Sequence, residues 1–259
     1  VFQWGLAGAA LATAISEVLG GAIPFLYFAR PNSSTLRLGR PLIDVRALGR
    51  VCMNGSSELV SNLSMSLVSM VYNFQLMAYI GPDGVAIYGV IQYVAWIAVS
   101  LLMGFTVGSS PIISYHYGAK NSAELKGLFR TCLGVMVAGG VLITVLTHLF
   151  AHPLAAVFVG YDPALCEMTV AALGEYSLAF IFVGVSIFGS AFFTALNNGL
   201  VSALISFLRT LVFECAAVMF LPAIIGVDGI WLSIVVAEIA SMFLTGGFLV
   251  GLRKHYGYV

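Results

Sequence analysis

Residues 81–130 read GPDGVAIYGV IQYVAWIAVS LLMGFTVGSS PIISYHYGAK NSAELKGLFR. Between Asp83 and Lys120 there is no Asp, Glu, Lys or Arg. An acid stands before the apolar run, and Lys120, Lys126 and Arg130 follow it. Such a run exceeds the ~20 residues needed to cross a hydrocarbon core of about 30 Å. The pattern recurs. Apolar stretches read as spans at 5–29, 51–80, 85–113, 128–151, 170–195, 203–225 and 229–251. Numbering the gaps alternately, one side receives Arg30, Arg37, Arg40, Arg46 and Arg50, then Lys120, Lys126 and Arg130, then Arg209, then Arg253 and Lys254. These are all 11 Lys and Arg of the chain, each read as lying at a span edge. The other side receives only Asp83, Asp162, Glu167 and Asp228. Membrane insertion retains Lys and Arg on the cytoplasmic face. The chain is therefore expected to start outside, cross seven times and end inside.

Composition agrees: 60% of residues are apolar, 8% are charged, and the mean hydropathy is +1.02. Soluble domains carry about a quarter charged residues, which excludes that class. The net charge of zero says nothing about partners, because the charges are sorted rather than mixed. Cys52, Cys132, Cys166 and Cys215 are scattered, so no disulfide framework is expected. The first stretch is too long for a signal peptide and has no basic residue before it.

An internal match suggests two related halves. Gly5-Leu6-Ala7-Gly8, Leu11 and Glu17 recur 221 positions later (238 − 17 = 221) as Gly226-Val227-Asp228-Gly229, Leu232 and Glu238. Both copies open a span on the outer face and set a glutamate inside the membrane. With Val1 at the start of the chain, the expectation is a partial sequence: residues 1–29 as the last helix of one six-helix lobe, 30–50 as a cytoplasmic linker, and 51–259 as the second lobe. Transporters are commonly built from such repeated halves. Within the linker, residues 42–50 read as a short interfacial helix. The outside turns at 81–84 and 226–229 are tight, and 152–169 reads as the only sizeable outer loop.

The polar chemistry concentrates in the second span. Asn54, Glu58, Asn62, Ser66, Ser69 and Asn73 recur at steps of three or four, one face of a helix. A lone acid at bilayer depth costs about 2.5–3.5 kcal/mol on insertion scales, so this face is expected to meet protein or a water-filled cavity. Asn and Ser in such a stripe also serve as interhelical hydrogen-bonding glue, a role that does not require Glu58. In the third span Tyr88, Gln92, Trp96 and Ser100 form an aromatic and amide stripe suited to flat or cationic ligands. It reads equally as an ordinary packed face. The fifth span carries Ser186, Ser190 and Thr194, with Glu175 near its outer end. Glu17 and Glu238 lie about 13 Å below the outer end at 1.5 Å per residue, as packing partners or auxiliary proton sites. Glu214 follows Arg209 by five residues, not an ideal spacing for an intrahelical pair. His148 and His152 have the spacing of a metal pair but no third ligand, and read as an interfacial cap.

Ser110-Pro111-Ile112-Ile113-Ser114-Tyr115-His116-Tyr117-Gly118-Ala119-Lys120 resembles the signature after the eighth span of multidrug and toxic compound extrusion (MATE) transporters. Gly5 to Thr13 resembles the start of their sixth span, Gly84-Val85-Ala86-Ile87-Tyr88-Gly89 the start of the eighth, and Gly229-Ile230-Trp231 the start of the twelfth. The resemblance covers nearly the whole chain, in family order and spacing. It implies an all-α, twelve-helix transporter of two lobes. This chain would carry span six, the linker and spans seven to twelve, with the other lobe's remaining five spans upstream. It implies an antiporter of a bacterial inner membrane that exports amphipathic, often cationic, compounds against H+ or Na+. No cofactor is expected beyond that ion, no metal, and no nucleic acid partner. Glu58 matches a seventh-span glutamate implicated in cation coupling, with Asn54, Asn62, Asn73, Tyr88, Gln92 and Trp96 lining the cavity and Glu17, Glu214 and Glu238 as auxiliary acids. The tenth-span aspartate of several members has no counterpart around Ser186 to Ser190. The alternatives are a lipid-linked saccharide flippase, which needs a basic cavity, and a seven-helix receptor. A membrane enzyme is not expected, because no His, Cys or Asp cluster converges in a span.

Overall fold

A computed structural model of the chain describes residues 5–30 and 44–258; the side chains at 5, 6, 9, 47, 50, 51, 53–58, 60 and 61 lie outside the described residues. All regular structure among the described residues is helical. In chain order the helices are α1 Gly5–Ala29, α2 Val45–Tyr79, α3 Pro82–Gly118, α4 Ser122–Leu149, α5 Ala151–Val159, α6 Pro163–Ser177, α7 Phe180–Ala195, α8 Gly199–Phe207, α9 Cys215–Ile225 and α10 Asp228–Tyr256. A π-helical turn, Leu208–Glu214, joins α8 to α9. The chain divides into two compact units, 1–49 and 50–259.

Five helices are long and apolar enough to cross a bilayer: Ala10–Ala29 within α1, α3, α4, Gly199–Ile225 and α10. The pair α6–α7, bent by 45°, makes a sixth. The expected seventh is α2, whose 35 residues suffice in length. Its polar stripe lowers its hydropathy, so composition alone does not single it out. Two expectations about connections change. Residues 45–50 are not a separate interfacial helix but the first turns of α2. Residues 152–169 are not a loop: they belong mostly to α5 and α6, and Asp162 caps α6 by accepting from Ala164 and Leu165 N–H groups.

The hairpin turns are as tight as their glycines suggest. Gly81 (φ 89°, ψ −155°) precedes α3, and Gly226 (φ 75°, ψ −146°) follows α9. Both sit in a region open essentially to glycine alone, so the same local chemistry makes both turns. Within the second unit, α4 and α7 cross closely: a Cβ on Gly184 would stand 2.8 Å from the Met136 carbonyl, and one on Gly140 would overlap the Phe180 carbonyl. Small residues let helix backbones approach where lipid supplies no hydrophobic drive. The bend between α6 and α7 leaves carbonyls without helical partners. The Thr144 hydroxyl donates to the Ser177 carbonyl at 3.0 Å and satisfies one of them.

The ends of the second unit differ in charge. At one end the Asn198 amide donates to the Tyr256 hydroxyl at 2.7 Å, and Tyr117 and Tyr256 pack with ring centroids 5.8 Å apart. This gathers the ends of α3, α7 and α10, hence Lys120, Arg253 and Lys254. At the other, Ile80, Glu175, Val227, Asp228 and Trp231 surround a cavity of about 150 Å³. Arg209 departs from the sorting. It stands within the continuous helical stretch Gly199–Ile225 rather than at its edge, because the helix begins earlier than the apolar run beginning at Ala203 suggested.

Candidate functional site

The stripe on α2 satisfies part of its own hydrogen bonding. The Ser66 hydroxyl donates to the Asn62 carbonyl at 3.2 Å, and the Asn73 amide to the Ser69 carbonyl at 2.8 Å. Such back-bonding lets polar residues remain in a helix. Asn62 and Ser66 are exposed, whereas Asn73 is half-buried. Glu58 and Asn54 occupy helical positions of α2, but their side chains lie outside the described residues. On α3, Tyr88 is buried and stacks on Tyr72 of α2, with centroids 5.0 Å apart and planes within 12°. The Gln92 amide donates to the Tyr88 hydroxyl at 3.1 Å. Trp96 is 63% exposed, and with Gly89, Gln92 and Tyr93 it lines an open groove of about 430 Å³. The α3 stripe thus splits: Tyr88 belongs to the interior, and Gln92 and Trp96 to the groove.

A charged cluster lies inside the second unit. Arg209 donates from Nη2 and Nε to Glu238 Oε1 at 2.7 and 2.8 Å. Glu238 is 2% exposed, and its Oε2 has no hydrogen-bond partner. Glu214 lies within electrostatic range of both Arg209 and Glu238. A π-helix bonds residues five apart rather than four, so the turn Leu208–Glu214 brings Arg209 and Glu214 towards one face. The five-residue spacing, poor for an α-helix, suits this geometry. Tyr72, Tyr88 and Tyr176, from three other helices, lie within electrostatic range of Glu214. Insertions of this kind in a helix often mark functional positions.

Next to the cluster, four hydroxyls bond one another across α7 and α8. Thr194 Oγ1 donates to Ser202 Oγ at 2.7 Å, Ser202 and Ser190 hydroxyls meet at 2.9 Å, and Ser190 and Ser206 at 3.0 Å. Ser190 therefore sits at the centre of a polar network. Ser186 is fully buried, and its hydroxyl has no hydrogen-bond partner. Sequence reasoning missed Tyr72, Tyr176, Ser202 and Ser206, and placed Arg209 at an edge. A signal existed: Asn198, Ser202, Ser206 and Arg209 follow steps of four, four and three, the test that revealed the α2 stripe.

The remaining expected residues lie elsewhere. Glu17 is exposed on α1, in the first unit. His148 Nδ1 lies 3.1 Å from both the Thr144 carbonyl and the Ser177 hydroxyl, at the α6–α7 bend. No group of three metal-binding side chains occurs among the described residues.

Comparison with known proteins agrees with this architecture. The family model MatE matches residues 59–218. The multidrug export protein MepA of Staphylococcus aureus (strain bovine RF122 / ET3-1) is 22% identical over 242 residues, covering 92% of this chain and 52% of that protein. MepA of Staphylococcus saprophyticus is 23% identical over 246 residues, again covering 92% and 52%. The chain thus spans about half the length of the curated relatives it matches. Among solved structures, an outward-facing multidrug resistance MATE transporter of the MOP superfamily superposes with a TM-score of 0.83 at 19% identity, over 98% of this chain and 56% of that one. The Vibrio cholerae MATE transporter VcmN gives 0.80 at 22% identity, over 99% and 58%. With its family model matched over more than half its length and its fold shared with these transporters, the chain belongs to the MATE family.

Proposed function

We propose that the complete protein exports amphipathic, often cationic, organic compounds across a bacterial cytoplasmic membrane in exchange for protons or sodium ions. This chain supplies one lobe and an adjoining helix, and access alternates as two lobes rock about the 30–50 segment. The observation that carries the reading is the charge balance at the mid-helix cluster: two carboxylates against one guanidinium, with tyrosines around them. Such a centre favours cations. A flippase for anionic lipid-linked saccharides would need surplus base at depth, and Arg209 is already engaged by Glu238. The family resemblance assigns ion coupling to Glu58, with the groove at Gln92 and Trp96 as a contact for flat cations.

The decisive comparison is efflux of a fluorescent cationic dye from energised vesicles. Glu58→Gln in the complete protein retains expression and loses uphill efflux. If it pumps like the parent while Glu238→Gln fails, coupling does not reside at Glu58. Orientation is checked by cysteines at Ser33 and Asp162. An impermeant reagent applied outside cells reaches position 162 and not 33, and the reverse result inverts the topology.

A further inference from the structure

The two carboxylates around Arg209 are not equivalent. Arg209 directs both bonds to a single oxygen of Glu238. The other oxygen of Glu238 is buried without a partner, and Glu214, half-buried, lies within electrostatic range of both Arg209 and Glu238. A buried carboxylate left unmatched costs several kcal/mol. With both acids ionised, the cluster carries one negative charge in excess of its guanidinium. We propose that the Glu214–Arg209–Glu238 cluster is a binding site for one proton, held on Glu214, within the exchange cycle proposed above.

The chemistry favours a proton over a metal cation. A sodium ion at the free oxygens would sit beside a guanidinium already bonded to the same carboxylate and would meet its repulsion. A proton forms one O–H bond on one carboxylate oxygen and takes the cluster from −1 to neutral, with no other bond changed. The titratable and charged groups within electrostatic range of Glu214 are consistent with this: Tyr72 from α2, Tyr88 from α3, Tyr176 from α6, Cys215 next in sequence, and Arg209 and Glu238. Only Arg209 carries positive charge, and it is bonded to Glu238. A hydroxyl network lies between the cluster and the end of α7. Thr194 is exposed, and the hydroxyl chain leading from it ends at Ser206, one helical turn before Arg209.

The test uses the complete protein in lipid nanodiscs and reads the infrared carbonyl band of a protonated carboxylic acid as pH is varied, without substrate. Glu214→Gln is expected to remove one titrating acid band, Glu214→Asp to keep it, and Glu58→Gln to leave that band in place. Adding a cationic dye then releases one proton fewer per protein from Glu214→Gln than from the parent. An unchanged acid band in Glu214→Gln overturns the proposal, as does unchanged proton release. Because the band is read without transport, it stands or falls separately from the exchange reading. A parent protein that exports no dye but retains the Glu214 band refutes exchange and leaves the proton site.

Discussion

Helices α1 and α10 begin with matched sequence and hold a glutamate at the same register, yet only one of the two meets a counter-charge among the described residues. Glu17 lies on α1, in the first unit, and makes no ion pair there. Glu238 is 2% exposed and paired with Arg209. Local sequence sets the depth of an acid in its helix. What it meets there depends on which helices pack around it. In the second unit the answer is α8, the π turn and α9, which bring a guanidinium to one of the two oxygens of Glu238.

The sharpest way to break the comparison is to remove Arg209. Arg209→Ala leaves Glu238 buried without its counter-charge, and breaking a buried pair by deleting one partner costs about 3–5 kcal/mol. Thermal unfolding in detergent is expected to show a large fall in midpoint. Replacing both partners, Arg209→Met with Glu238→Met, should recover most of it, because apolar residues of similar volume commonly substitute for a buried pair. A double variant no more stable than Arg209→Ala alone would show that lost packing, not the unpaired charge, sets the cost.

A second test lies where the motif starts in the second unit. Gly226 stands outside α10 with φ 75° and ψ −146°. Gly226→Ala forces a Cβ into a conformation that costs about 1–3 kcal/mol. Gly81→Ala, in the equivalent turn before α3, should cost about the same. Unfolding midpoints of the two variants should fall together. A harmless Gly226→Ala would mean that the turn relaxes and that the glycine is not required by geometry.

How much of this was legible beforehand follows from the period of each signal. The membrane class, the helix positions and the two glycine turns came from apolar runs and charge sorting, which operate over twenty or more residues. Arg209 defeated that reading because the helix around it starts at Gly199, earlier than the apolar run. A paired arginine inside a span looks, to charge counting, like one at an edge. The α6–α7 bend was equally hidden: its broken carbonyl is satisfied by Thr144 from another helix, a contact with no local trace. Of the expected site, Tyr88 and Gln92 do meet. Trp96 and Tyr88 point to different places, because a stripe at steps of four drifts around a 3.6-residue helix.

The smallest effect concerns how the basic end of α10 is held. After Gly257, at φ 70°, the chain turns and buries Tyr258, whose hydroxyl donates to the Leu249 carbonyl at 2.7 Å. Its ring packs against Phe129 and Phe192, at centroid distances of 5.0 and 4.9 Å. Burial, and secondarily Tyr256 nearby, push this phenol up to about 12 from an ordinary value near 10. The folded state thus holds the phenolic proton more tightly than the unfolded chain. The contribution is fully present below about pH 10 and is lost as pH rises through about 12. Tyr258→Phe keeps the ring packing and removes only the hydroxyl, so its expected loss is about 0.5–1.5 kcal/mol near neutral pH. The variant should also lack the part of the stability decline above pH ~10 that belongs to this phenol. Unfolding midpoints of parent and variant therefore converge as the solution becomes alkaline. Parallel curves for the two proteins would mean that Tyr258 does not titrate as a buried group and that its docking contributes little to anchoring α10.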